Sequence, residues 1–302
     1  MIIETGHVRG LMAVLELYNK CRAKQKVLQI LDNTGKEITM KFTRSKLAIP
    51  YIIYMVVFVV LPLLVVCYYA FTGEDGNLTV DNFLSFFTNS KTMGTLFYSV
   101  VIALATTILC LILAYPTAYI LAKGPFKRSD ALLVLFVMPM WINFTLRITA
   151  LKEMLSMIEG NLALHPFFNT VLSMTYDFMP FMVMPLYTSL TKLDDNVLEA
   201  AADLGAKPWQ IILKLVIPMS MPGIISGVTM VFLPAMTNYV VLDMVYNSTF
   251  IMGSLIGSYF SSYDWHNGSM ISVILLLLIF VISAISSRLS KEELEKQTAQ
   301  GL

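Results

Sequence analysis

The stretch that decides the reading lies past the middle of the chain: Asp194-Asp195-Asn196-Val197-Leu198-Glu199-Ala200-Ala201-Ala202-Asp203-Leu204-Gly205-Ala206-Lys207-Pro208-Trp209, running on through Ile212 and Leu213 to Leu215-Val216-Ile217-Pro218. Asn196 reads as an N-cap, and Glu199 three residues later completes a capping box. Asp194 and Asp195 favour the positive end of a helix. Three alanines follow, which are strong helix formers with almost no side chain. Gly205 suits the left-handed position that ends a helix, and Pro208 the first position of the next. The expectation is a short rigid helix with a small-residue face that another protein can approach closely. Spacing alone leaves a second reading open, an ordinary amphipathic connector.

This polar segment is set in a very apolar chain. Of 302 residues, 57% are hydrophobic and only 14% charged, and the mean hydropathy is +0.70. A soluble protein carries about 25% charge. The net charge of +1 excludes a nucleic-acid binder, and the apolar excess excludes disorder. Six apolar segments are expected, roughly 47–72, 95–122, 131–152, 170–190, 217–242 and 270–288. Each supplies the ~20 residues that a helix needs to cross a ~30 Å hydrocarbon core. The third carries Arg147 and Lys152, and the fourth carries Asp177, Pro180 and Pro185, so these two are the least regular. Eighteen Lys and Arg residues fall on the face of the termini and even loops, and three on the other. That excess puts both termini in the cytoplasm.

Residues 1–40 are polar and weakly amphipathic around Leu11–Leu31. They could form an interfacial helix. The reading favoured is a start codon assigned too early, because Met40-Lys-Phe-Thr-Arg-Ser-Lys followed by the first span resembles a complete membrane-protein start. Cys21, Cys67 and Cys110 form no CxxC pair, and His7, His165 and His266 share no ligand spacing, so no metal site is expected. No G-x-x-x-x-G-K-[ST] loop occurs. If ATP drives this protein, another chain binds it.

Glu199-Ala200-Ala201, then Gly205, then Leu215-Val216-Ile217-Pro218 resembles the EAA motif of binding-protein-dependent ABC importer permeases. Further stretches resemble the B-type permeases of spermidine/putrescine importers. These are Tyr115-Pro116 with Ala118 and Ala122-Lys123, Pro139-Met140-Trp141 with Leu146-Arg147 and Ala150, Met179-Pro180-Phe181-Met182-Val183-Met184-Pro185-Leu186-Tyr187, and Pro234-Ala235 with Asp243, Trp265, Gly268 and Ser272. The resemblance covers residues 45 to 290. It departs at Leu151, at Asp243-Met244-Val245-Tyr246-Asn247 and at Trp265–Met270, all on the outer and pathway side.

The resemblance implies an all-α polytopic membrane protein with six transmembrane helices and the type I ABC importer permease fold. Residues 41–290 would be the permease domain, with a cytoplasmic coupling loop at 191–216 and a tail at 291–302. Glu199, Ala200, Ala201 and Gly205 would couple to a cytoplasmic ATPase present in two copies. A second permease subunit and an extracytoplasmic polyamine-binding protein complete the implied assembly, in the lipid of a bacterial cytoplasmic membrane. No cofactor is expected on this chain, and no nucleic-acid partner.

Charges inside a membrane are costly, about +2.5–3.5 kcal/mol at a helix centre on insertion scales, and so draw functional readings. Asp177, beside Tyr176, and Asp243 are candidates for a polar pathway, since a carboxylate near aromatics suits an alkyl ammonium. Trp141 and Arg147 are added as pathway candidates. The competing readings are a snorkelling role for Arg147 and an internal partner for each acid, Arg147 itself among them. Gly223 and Gly227 form a GxxxG expected to pack helices, and Gly253 and Gly257 form another. The alternatives are the same importer class carrying another organic cation, amino acid or sugar, or a membrane enzyme or assembly scaffold. An enzyme needs a clustered acid–base set at one depth, and the sequence offers isolated charges.

Overall fold

The computed structural model describes residues 44–73, 76–245 and 250–299. The extension at residues 1–40 lies outside the described residues, as do 300–302 of the tail. Regular structure among the described residues is helical, apart from one antiparallel bridge between Thr72 and Leu78. The chain divides into two compact units, Met1–Leu64 and Val65–Leu302. The described part of the first is α1 (Arg44–Met55), a π-turn at Val56–Val60 and the start of α2 (Leu61–Ala70).

The second unit is built around one helix. Its elements are α3 (Asp81–Thr88), α4 (Ser90–Lys123), α5 (Ser129–Val137), α6 (Phe144–Glu159), α7 (Pro166–Leu190), α8 (Asp195–Asp203), α9 (Pro208–Ile211), α10 (Ile217–Met219), α11 (Met221–Thr237), α12 (Tyr239–Val245), α13 (Met252–Ser261) and α14 (Trp265–Ala299). At 25 residues, α7 is about 37 Å long, and it packs most extensively on α4 and α11. The face of α4 turned inward is a stripe of small residues: Thr95, Ser99, Ala103, Thr106, Cys110, Ala114 and Ala118. Spacing of three and four residues places them on one side, where their small volume lets backbones approach. Their hydroxyls do not cost unsatisfied groups. Thr106 donates to the Met174 sulfur at 4.0 Å, and Thr95 donates to a carbonyl one turn back at 2.9 Å, as does the neighbouring Thr107 at 2.7 Å. Ser99 does the same at 2.8 Å and accepts the Met252 N–H at 2.9 Å, which caps the start of α13.

Among the described residues, three helical stretches are long and apolar enough to cross a membrane: Ala48–Ala70, Ser90–Lys123 and Trp265–Glu292. Two bent pairs raise the number to five if each is one span. The third expected segment, 131–152, is not a straight helix. Ser129–Trp141 and Phe144–Glu159 meet at 91°. The chain tightens to a 3-10 turn at Met138–Trp141, is extended at Ile142, and restarts at Asn143, whose side chain accepts the N–H groups of Thr145 and Leu146. Pro139 lies within that turn and has no N–H to donate, so the α-helical ladder fails there. The second bend, 69°, lies between Pro208–Met219 and Met221–Thr237, at Ser220. The fourth expected segment is α7, which falls outside the apolar set. Its Asn169, Thr170, Ser173, Thr175 and Asp177 are buried in protein.

Candidate functional site

The segment around Glu199 forms α8, capped at both ends. The N-cap is Asp194, not the expected Asn196: the Asp194 carboxylate accepts the Asn196 N–H at 3.0 Å and its amide at 2.9 Å. The helix thus starts earlier than a capping box on Asn196 requires, and Glu199 falls in its second turn. A carboxylate is the better acceptor for N–H groups at the positive helix end, and so the aspartate takes the cap. At the other end Gly205 has φ +81°. The N–H of Ala206 reaches the Ala201 carbonyl at 3.1 Å, and that of Gly205 reaches Ala202 at 2.9 Å. These two bonds are the Schellman closure, which needs a left-handed residue at Gly205. Pro208 opens α9 at its first position, and the Gln210 side chain accepts the Lys207 N–H at 2.9 Å.

Glu199 and Ala200 are exposed and Ala201 is partly so. Glu199 forms no hydrogen bond or ion pair among the described residues. Leu204 is 90% exposed, and Trp209 and Leu213 are each 55% exposed. The helix therefore offers an acid and small residues outward, the chain just after it offers apolar side chains, and Leu198 on its inner side packs on the core. The sequence reading did not single out Leu204. The available signal was a leucine directly before the helix-ending glycine, where the chain turns away from any core.

The charged candidates divide differently. Arg147 on α6 and Asp177 on α7 form an ion pair, with side chains only 9% and 4% exposed. Arg147 also donates to the Pro139 carbonyl at 3.2 Å and lies over the Tyr176 ring at 5.9 Å. One guanidinium thus binds the bend before α6 and the side of α7 together. Among the described residues its Nε has no hydrogen-bond partner, nor do the buried hydroxyls of Thr170 and Ser173 one to two turns before Asp177. Beside the pair is a pocket of about 350 Å³ lined by Ile142, Leu146, Arg147, Ala150, Leu151, Met154 and Tyr176. Trp141 is not part of it; it is 79% exposed at the end of the 3-10 turn. Asp243 lies on α12, which packs on α6 and α7. It is half-buried among Val241, Leu242 and Val245, and makes no hydrogen bond or ion pair among the described residues.

Gly223 and Gly227 pack α11 on α7. A Cβ on Gly223 would lie 2.5 Å from the Ser189 Cβ and 2.9 Å from the Pro185 carbonyl, and one on Gly227 would lie 2.6 Å from the Met182 sulfur. In the second GxxxG only Gly253 makes such an approach, to the Thr237 carbonyl; Gly257 faces open space. Two polar ties near α8 escaped the sequence reading. Lys123 Nζ donates to the Leu193 carbonyl and to Asp195, each at 2.6 Å. The Tyr187 hydroxyl meets Ser129 at 2.9 Å and Asp130 at 2.7 Å. In the sequence Lys123 reads as one more positive charge in a cytoplasmic loop and as part of the Ala122-Lys123 resemblance, with no partner in view, because its partners lie about 70 residues away.

The described residues thus hang a short exposed helix between long apolar ones, with a buried charge pair among them. The chain belongs to the family of binding-protein-dependent transport system inner membrane components, whose model matches residues 114–291. It is therefore a membrane protein of that class. Among curated relatives, it is 33% identical to the spermidine/putrescine transport system permease protein PotB of Haemophilus influenzae, over 89% of this chain and 100% of that one. It is 34% identical to PotB of Escherichia coli, over 79% of this chain and 94% of that one. The fold is similar to a chain in the crystal structure of a bacterial ABC transporter that imports the acidic polysaccharide alginate. There the TM-score is 0.68 at 14% identity, covering 86% of this chain and 99% of that one.

Proposed function

We propose that this chain is one permease subunit of an ABC importer that carries polyamines, spermidine or putrescine, across a bacterial cytoplasmic membrane. Similarity to polyamine permeases along their whole length carries the solute, and the exposed, doubly capped α8 carries the coupling role. The six spans are Ala48–Ala70, Ser90–Lys123, the bent pair ending at Glu159, Pro166–Leu190, the bent pair ending at Thr237, and Trp265–Glu292. Both termini and α8 face the cytoplasm, as the excess of Lys and Arg on that side supports. The partners are two copies of an ATP-binding subunit, a second permease and an extracytoplasmic polyamine-binding protein. This chain does no covalent chemistry and holds no cofactor; ATP is hydrolysed on the partner.

Glu199, Ala200, Ala201 and Gly205 hold α8 against the ATPase, with Leu204 as an apolar contact. Nucleotide-driven movement of α8 would change the packing of α4, α7 and α11 and so open the path alternately to each side. Asp243 is the acid free to meet a passing ammonium. Asp177 already has a cation beside it, so the reading for Asp177 and Arg147 is one of holding the bent third span against α7.

The test is uptake of radiolabelled spermidine and putrescine in cells lacking their own polyamine import and expressing the complete transporter. Saturable, ATP-dependent uptake that unlabelled amino acids and sugars fail to inhibit is expected. Uptake of another solute in place of polyamines would keep the importer and overturn its cargo. An intact complex with no solute-stimulated ATP hydrolysis would favour a scaffold.

A further inference from the structure

Lys123 is the last residue of α4, and its ammonium is not out in the cytoplasm. The side chain is only 10% exposed and reaches two groups at the root of α8: the Leu193 carbonyl and the Asp195 carboxylate. A cation at the N-terminus of a helix opposes the positive helix end and is ordinarily unfavourable. Asp195, in the first turn of α8, compensates for it, and the ammonium at the same time suits the C-terminus of α4. The second tie lies six to seven residues further along, at Ser129 and Asp130. Tyr187, 5% exposed near the end of α7, holds Ser129 and Asp130 in the first turn of α5. The short loop between α4 and α5 is thus fastened at both ends to residues 187–195, from which α8 emerges.

We propose that Lys123 is a positioning residue that staples the root of α8 to the end of α4, so that movement imposed on α8 is passed to the second membrane helix. This rests on the docking role given to α8 above. Without the staple, α8 would keep its backbone links and the apolar packing of Leu193 and Leu198 on the core, but would lose its polar tie to the end of α4. It could then follow the ATPase while α4 stayed behind.

The experiment uses the complete complex in proteoliposomes, with ATP hydrolysis and polyamine uptake measured on the same preparation. Lys123→Met removes both bonds and keeps much of the apolar stem. Hydrolysis is expected to persist while uptake per ATP falls on the order of tenfold, within the usual range of coupling between sites. Lys123→Arg should recover most of the ratio, since a guanidinium can bridge a carbonyl and a carboxylate. An unchanged ratio in Lys123→Met overturns the proposal. If that variant does not assemble, Asp195→Asn carries the test. Asp195 is 74% exposed, so neutralising it spares the fold, and the ratio should again fall. An unchanged ratio there, or loss of assembly in both variants, would make Lys123 merely structural and overturn the proposal.

A second readout needs neither ATP nor solute. Spin labels at Ile120→Cys and Asp203→Cys, with the native cysteines replaced, report the distance between α4 and α8 in the complete complex. That distance should be narrowly distributed with Lys123 and broad in Lys123→Met. Equal widths overturn the staple whatever the cargo. Absence of ATP-driven polyamine uptake in the wild-type complex would instead overturn the functional reading, while the label distances still decide the staple.

Discussion

Gly205 has no neighbour within 4 Å of where a Cβ would stand, so its requirement is conformational and not steric. A left-handed backbone costs an ordinary L-residue about 1–2 kcal/mol, and asparagine visits it more readily than others. In an exposed nine-residue helix that cost falls on the Schellman closure and so on the shape offered to a partner. Gly205→Val should abolish most uptake at unchanged amounts of complex, Gly205→Ala should give an intermediate loss, and Gly205→Asn should stay near wild type. Wild-type uptake in the valine variant would remove α8 from coupling. The two acids should separate just as cleanly. Asp177→Asn leaves the Arg147 cation buried without its partner, at a cost of about 3–5 kcal/mol, so the amount of intact complex should fall. Replacing both members, Arg147→Met with Asp177→Leu, should restore much of that amount, because an apolar pair removes the orphan charge. Asp243→Asn breaks no pair among the described residues. Complex should form normally and polyamine uptake should drop; normal uptake would take Asp243 out of the path.

At the scale of elements, the contact of α7 with α11 depends on glycine at two positions that are not equivalent. The obstacle at Gly223 is the Pro185 carbonyl and the Ser189 Cβ, which are backbone or fixed to it. At Gly227 the nearest atom is the Met182 sulfur, the mobile part of a flexible side chain. Gly223→Ala should therefore destabilise by about 1–3 kcal/mol, the usual range for overpacking, and Gly227→Ala by less. The second GxxxG should show a sharper contrast. Gly257 lies within α13 with open space beside it, and Gly257→Ala should be neutral or slightly stabilising. Gly253→Ala meets the Thr237 carbonyl at 2.1 Å and should be strongly destabilising. Thermal stability of the detergent-solubilised complex ranks all four. A ranking with Gly227→Ala below Gly223→Ala would contradict the observed contact between α7 and α11.

For the whole molecule, the charge asymmetry makes a claim about topology that fusions can check. A fluorescent-protein fusion after residue 302 should be bright, which requires the cytoplasm. An alkaline phosphatase fusion in the loop between α6 and α7, near residue 161, should be active, which requires the outer side. Inactive phosphatase at that position would mean that the bent pair Ser129–Glu159 is re-entrant and does not cross. That outcome would change the number of spans and reverse the side on which α7 begins.

Much of this was legible in the residues. The apolar excess and the long runs read at 47–72, 95–122 and 270–288 mark a membrane protein, because lipid imposes length and hydrophobicity locally; the structure has helices at 48–70, 90–123 and 265–292 there. The helix around Glu199 was legible too, including the left-handed Gly205, since capping and termination depend on neighbours in sequence. Its start was misplaced on Asn196; Asp194, two residues earlier, takes the cap because its carboxylate is the better acceptor at the positive helix end. The third span read as continuous, but a helix interrupted at Pro139–Asn143 is held in its 91° bend by Arg147 reaching α7, a contact across 30 residues. Hydropathy marked α7 as one of the weakest spans, yet it is the centre of the second unit. Its polar groups face protein and not lipid, and no local pattern reports which way they face. For the same reason only the tertiary structure could show that Asp177 has a partner, that Asp243 has none among the described residues, and that Lys123 reaches the root of α8. Each is a matter of which distant side chain arrives, which close packing settles and local sequence does not.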